Sequence, residues 1–281
     1  MELVLQAALI GILQGLTEFI PVSSSAHLEL APWIAGWPSD GVLGSLAFDV
    51  FLHLGTLLAL LGYFARDWLR LLGAALASIR ERRVGTDADR RLAWLLILAT
   101  VPAGLIGFVG EDWIDRHLHA DSDGVRLAIA GFVVVGAIAL WLADRFGARR
   151  REIDGLDAPG ALAIGLSQAL ALLPGISRSG ATISAGLALG LTRESAARFS
   201  FLLATPITLG AGLYGSRHLL GVSHTGTEWL AIAVAFVAAA VSGMLAIGFL
   251  LAWLRHRSVT VFSVYRLAFA GLIVALVMAG R

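Results

Sequence analysis

The sequence predicts an all-α polytopic membrane protein, with six transmembrane helices plus two re-entrant helical hairpins in an inverted-topology repeat. Three observations carry that expectation. Of 281 residues, 58% are hydrophobic and only 15% charged, far from the balance of a soluble domain. Apolar stretches of about twenty residues, the length a bilayer core demands of a helix, recur along the chain. Two further apolar segments are cut in the middle by Pro, Ser and Gly.

Taken in order, residues 1–41 hold two short apolar pieces separated by "PVSSS". Each is too short to span comfortably. They read as half-helices of a re-entrant hairpin, tolerated at membrane depth only where protein or a wet cavity surrounds them. Spans are expected at 48–64, 92–109 and 125–142. A second broken segment, 158–191, is interrupted by "LPGISRSG", and three more spans follow at 199–214, 229–253 and 262–279. The N-terminus has neither a basic region nor a small-residue cleavage site, so residues 1–16 are expected to stay in the mature protein. The chain reads as one membrane domain, with repeat one at about 1–143 and repeat two at about 156–281.

Charge placement sets the orientation. All 21 basic residues are arginine, and there is neither lysine nor cysteine. Schiff-base and P-loop lysines, thiolate metal sites and disulfides are therefore excluded. Arginine collects in three connections: seven between 66 and 91, four between 145 and 151, and Arg255 with Arg257. These are expected inside. The acidic connection 111–124, the arginine-poor connection 216–228 and the C-terminus are expected outside. On this placement the first hairpin enters from outside, the second from inside, and they meet near the midplane.

An internal repeat agrees. "QGLTEFIPVSSSAH" (14–27) lies over "QALALLPGISRSGAT" (168–182), with Pro21 over Pro174 and the serines over Ser177 and Ser179. Downstream, Phe48, Tyr63 and Arg66 recur at the spacing of Phe199, Tyr214 and Arg217. Halves of opposite orientation bind their ligands at broken helices.

The breaks carry the chemistry. Gln14 and Glu18 are four apart and share a helix face near a C-terminal end, where carboxylate, amide oxygen and free carbonyls suit a hard cation such as Mg²⁺ or Ca²⁺. Ser23, Ser24 and Ser25 sit where the next half-helix needs its N-cap, and that N-terminus offers N–H groups to an anion. His27 follows Ser24 by three positions, so the two are expected to face one spot. In the second break Gly175 and Gly180 permit close backbone approach, Ser177 and Ser179 donate hydrogen bonds, and Arg178 offers a fork matched to phosphate oxygens. A charge at membrane depth marks function and needs a partner. For Arg178 that partner is Glu18, a bound phosphate, or both. Asp49 and His53, one turn apart, read either as supporting residues of the site or as ordinary interface positions. Arg266, one turn into the last span, reads as snorkelling to the inner surface, with phosphate contact as its other role.

At this point "QGLTEFIPVSSSAH", "FDVFLHLGTLLAL" and "LPGISRSGATISAGLALGLTRESAARFSFLLATP" resemble the undecaprenyl-diphosphate phosphatases of the bacitracin-resistance type, over the whole chain. The resemblance implies hydrolysis of undecaprenyl diphosphate to the monophosphate carrier of cell-wall synthesis, bacitracin resistance and divalent-metal dependence. It also implies a homodimer in the bacterial cytoplasmic membrane, with the site open to the periplasm. The family's functional residues fall on Gln14 and Glu18 (metal), on Ser24 and His27, and on Arg178. Many members carry Glu where this chain has Gln14, which keeps a ligand oxygen and loses a charge. The nucleophile stays open between Ser24, His27 and a water activated by Glu18 and His27. A transporter or flippase of a phosphate-bearing lipid is the competing expectation. No nucleic-acid partner is expected.

Overall fold

The computed structural model describes residues 1–37, 41–118, 122–220 and 224–280, apart from the side chains of 44, 46, 47, 50, 111–118 and 214–220. The end of the first expected hairpin, parts of both outside connections, and the side chains of Tyr214 and Arg217 thus lie outside the described residues. The described chain forms eleven α-helices: α1 (Glu2–Phe19), α2 (Ser24–Ala35), α3 (Leu46–Tyr63), α4 (Ala65–Glu81), α5 (Ala88–Leu118), α6 (Asp123–Phe146), α7 (Ala158–Ala169), α8 (Arg178–Ala188), α9 (Arg193–Leu220), α10 (Gly226–His256) and α11 (Thr260–Met278).

Six of them are long and apolar enough to cross a membrane: α1, α5, α6, α9, α10 and α11. The count is the expected one, but its membership differs. Helix α1 runs unbroken for 18 residues, about 27 Å, longer than the expected half-helix. Its last turn carries Gln14, Thr17 and Glu18, which hydropathy reads as an end. All three are buried in protein, and the helix continues through them. Helix α3 has the same length, with a described apolar part narrowed to Phe51–Tyr63.

Helix α4 occupies most of the arginine-rich connection at 66–91. Leu69, Leu72, Leu76 and Ile79 recur at helical spacing and are each more than half exposed. A helix with such a face and arginines around it has the pattern of an interfacial amphipathic helix. The arginine count hid its leucine period.

The three arginine-rich connections share one end of the molecule. Arg198 donates to Asp67 at 2.6 Å, Arg193 clamps Asp144 with bonds of 2.6 and 3.1 Å, Arg255 reaches Glu194 at 3.0 Å, and Arg91 donates to the Asp154 carbonyl. Arg193 with the buried Asp144 is a two-point fork, stronger and more directional than a single contact.

Helices that precede residue 147 pack on helices that follow it. Helix α1 packs along α10 and α7 along α5, while α3 meets α9 and α6 meets α11. The α1–α10 and α5–α7 contacts each close on a glycine. A Cβ on Gly11 would lie 2.3 Å from the Ala235 carbonyl oxygen, and one on Gly165 would lie 2.2 Å from that of Ala99. Only a residue without a side chain lets the backbones touch in this way, as at many membrane helix contacts. Gly11 and Gly165 are 154 positions apart, the separation that also relates Gln14 to Gln168, Ser23 to Ser177 and Ser25 to Ser179. Pro21 and Pro174 stand one position out of that register.

Candidate active site

The two breaks have the same local build. Helix α1 ends at Phe19, Ile20 turns extended, and Pro21 lacks the N–H that would continue the helix. Ser23 then takes φ 80° and caps α2, its hydroxyl accepting from the Ala26 amide at 3.5 Å. In the second break Ser177 takes φ 74° and caps α8, accepting from the Gly180 amide at 3.1 Å. Left-handed backbone at a non-glycine residue is uncommon and costs energy, so its occurrence at both caps reflects a local geometry that the surroundings impose. Each cap hydroxyl also meets the serine two positions on: Ser23 with Ser25 at 3.2 Å, Ser177 with Ser179 at 3.3 Å.

The breaks touch one another. The Gly175 amide donates to Ser25 Oγ at 3.4 Å. Gly175 has φ 105°, and a Cβ there would lie 2.7 Å from the Ile129 carbonyl oxygen, so both conformation and space require glycine.

Glu18 is where the breaks converge. Its carboxylate accepts from Ser24 Oγ at 2.6 Å and from Gln14 Nε2 at 3.2 Å, forms an ion pair with Arg178, and has His53 Nε2 at 3.5 Å. Arg178 extends its other terminal nitrogen to Thr208 Oγ1 at 2.6 Å. These groups open on a cavity of about 240 Å³, with Ser25 and Ser177 on the polar side and Ala103, Leu172, Ile207 and Ala211 on the apolar side. A buried carboxylate and guanidinium this close satisfy each other, yet donors remain on the cavity wall.

The other sequence-expected residues divide. Gln14 touches Glu18 but is sealed behind it, and its Oε1 has no hydrogen-bond partner. Ser23, Ser179 and Gly175 shape the backbone of the breaks and do not line the cavity.

His27 does not share a spot with Ser24. Its Nδ1 donates to the Ser23 carbonyl at 2.7 Å, which leaves Nε2 to accept from the Tyr265 hydroxyl at 2.7 Å, and its ring stacks on Phe269 at 4.2 Å. The carbonyl four residues back captures the ring and turns it toward α11. Arg266 does not snorkel. It is fully buried and donates to the carbonyls of Val133, Pro21, Gly175 and Ile176. The breaks free the carbonyls of Pro21, Gly175 and Ile176 from helical bonding, and the guanidinium takes them up while its Nε also reaches Val133 inside α6. Thr208 and Tyr265 were not singled out in the sequence; each lies in a largely apolar helix outside the two break motifs.

A cavity at membrane depth that faces a guanidinium, hydroxyls and two serine-capped helix N-termini, with one carboxylate at its centre, defines a membrane protein that binds and works on an oxyanion. The chain belongs to the bacitracin resistance protein BacA family, whose model matches residues 7–272. It is similar to proteins named undecaprenyl-diphosphatase: 44% identical over 275 residues to that of Thermomicrobium roseum (97% of each chain), and 44% identical over 276 residues to that of Pelobacter propionicus (98% of each). To that of Alcanivorax borkumensis it is 45% identical over 262 residues, covering 93% of this chain and 94% of the relative.

Proposed function

We propose that this chain is an undecaprenyl-diphosphate phosphatase that releases the terminal phosphate and returns the lipid monophosphate to cell-wall synthesis, which gives bacitracin resistance. The hydrogen bond from Ser24 Oγ to Glu18 carries this reading, because binding alone does not need a hydroxyl aligned on a buried carboxylate. Arg178 and the N-termini of α2 and α8 hold the diphosphate and neutralise its charge as it grows in the transition state. Ser24 Oγ attacks the terminal phosphorus while its proton passes to Glu18. The bond to the bridging oxygen breaks, and undecaprenyl phosphate leaves. Glu18 returns its proton to solvent. Water then attacks the phosphoserine as Glu18 takes its proton, the Ser24 Oγ–P bond breaks, Glu18 passes that proton to Ser24 Oγ, and inorganic phosphate departs. His27 acts as a strut between Ser23 and Tyr265 in this scheme.

A divalent cation, Mg²⁺ or Ca²⁺, is part of the reading. The fit rests on the orphaned Gln14 Oε1, next to the amide nitrogen that bonds Glu18. Gln14 and Glu18 would hold it, with lipid phosphates completing the oxygen set. When bound, it would supply positive charge to the phosphate oxygens.

The reading puts the protein in the bacterial cytoplasmic membrane as a homodimer, with the site open to the periplasm. Ala103 and Thr208 on the cavity wall lie 12 and 15 residues beyond Arg91 and Arg193, about 18–23 Å along α5 and α9 from the arginine-rich end. That distance supports an opening toward the other face. The packing of helices before residue 147 on helices after it supports an inverted repeat with two re-entrant hairpins.

Phosphate release from a long-chain polyprenyl diphosphate, measured on detergent-purified wild type and Ser24→Ala with Mg²⁺, Ca²⁺ or EDTA, tests the reading. Metal-dependent release lost in the variant supports it. Full release by Ser24→Ala moves the attack to water. A folded wild type that binds the lipid and releases nothing with either metal makes it a carrier of the lipid instead.

A further inference from the structure

We infer that His53 is a further metal ligand of the Glu18 site, so that the bound cation is one that accepts nitrogen as well as oxygen. This rests on the reading above that a divalent cation binds at Glu18, and it replaces Mg²⁺ or Ca²⁺ with a cation that also takes nitrogen.

His53 Nδ1 lies 2.8 Å from the Asp49 carbonyl oxygen, within one turn of α3. A carbonyl only accepts, so Nδ1 carries the proton, and in the neutral ring Nε2 presents its lone pair. Histidines that bind metals are oriented in this way, with the second ring nitrogen tied to a backbone carbonyl. Nε2 faces Glu18 Oε2 at 3.5 Å, and the imidazole side chain is about one-third open to the cavity (31% exposed), while the carboxylate is sealed at 4%. A carboxylate oxygen and an imidazole nitrogen at this separation can share one cation in place of a proton. A cation about 2.1 Å from each would span that 3.5 Å at roughly 110°, close to a tetrahedral angle, without moving either side chain. Gln14 backs Glu18 from outside the cavity through its amide nitrogen, and its own Oε1 is buried and unpartnered.

Carboxylate and imidazole make a mixed set. Ca²⁺ favours all-oxygen shells of six to eight ligands, whereas a first-row transition-metal ion, of which Mn²⁺ is the weakest binder, takes an imidazole nitrogen more readily. The site is therefore expected to hold Mn²⁺ more tightly than Ca²⁺. His53, in "FDVFLHLGT", is distinct from the histidine of the serine run, which is tied up by Ser23 and Tyr265.

The test uses full-length, tag-free protein in detergent with Mn²⁺ alone as probe, read by metal-binding titration and by pulsed electron paramagnetic resonance. Directly bound imidazole adds a ¹⁴N modulation to the Mn²⁺ signal. The expected result is that modulation in wild type and in His27→Gln, its loss in His53→Gln, and Mn²⁺ affinity at least about tenfold weaker in His53→Gln. Mn²⁺ bound in a Glu18-dependent way without nitrogen modulation would overturn the role of His53 and leave the metal reading standing. Modulation lost in His27→Gln and kept in His53→Gln would also overturn it, in favour of the other histidine. Absence of any Glu18-dependent Mn²⁺ binding would bring down both this inference and the metal reading.

Discussion

Glu18 and Arg178, 160 positions apart, form an ion pair that joins the first break to the second, with the carboxylate side chain 4% exposed and the guanidinium 18%. Removing one partner of such a pair leaves an uncompensated charge at depth. Each residue also faces the cavity, so stability and chemistry are expected to fail together. Glu18→Gln and Arg178→Ala should each lower phosphate release from a polyprenyl diphosphate by about 10²–10³-fold. Wild-type rates in either folded variant would detach the pair from the reaction.

Thr208 steers Arg178 through a 2.6 Å bond and lines the same cavity. Thr208→Val keeps the shape and deletes the acceptor, so kcat/KM should drop roughly tenfold, the worth of one hydrogen bond to a charged group. Serine at 208 should restore most of it. A Thr208→Ser rate no better than that of Thr208→Val would mean that packing, not the hydroxyl, matters there.

Arg266 ties four carbonyls from three places in the chain while fully buried. In Arg266→Met those acceptors lose their donor, with an expected cost of about 3 kcal/mol, or roughly 6–12 °C in the melting temperature in detergent. An unchanged melting curve would show that water or another donor replaces it.

Gly11 and Gly165 hold the α1–α10 and α5–α7 pairs at backbone contact. Gly11→Val and Gly165→Val should each destabilise by about 1–3 kcal/mol, visible as reduced yield of monodisperse protein and a lower melting temperature. The same change at Gly104 or Gly131, where a Cβ meets nothing within 4 Å, serves as the control and should leave both readouts within error.

Asp157 caps α7 at the arginine-rich end, and the Gly160 amide holds its carboxyl below the usual carboxylate range. A depressed carboxyl contributes stability above its unfolded value, near 4, and that contribution fades as pH falls through the folded value. Asp157→Ala should therefore melt earlier than wild type at pH 7, with the gap closing below about pH 4. A gap that stays constant across that range would assign the loss to the cap's shape and not to its charge.

Much of the site was legible because its residues break a rule. A carboxylate at position 18 and an arginine at 178 in an apolar chain demand each other, and the structure pairs them. Serines after a proline announce a helix start, and Ser23 and Ser177 are the two caps. What sequence did not reveal was direction. Nothing in "SSSAH" says that the Ser23 carbonyl turns His27 toward Tyr265, more than 230 positions away. Nothing near Arg266 says that two helix breaks gather unpaired carbonyls around it. Those are tertiary facts, set by where backbone acceptors are left over. The same holds for α1, whose last turn looks polar until burial against other helices is known.

The Tyr265–Arg266 pair belongs to α11, which follows both breaks in sequence, and it ties them through His27 and the break carbonyls. The order of synthesis then matters. A nascent chain that has emerged only through α10 holds Pro21, Gly175 and Ile176 without the donor that orders them. The pocket between the breaks is thus expected to take its shape only when α11 docks.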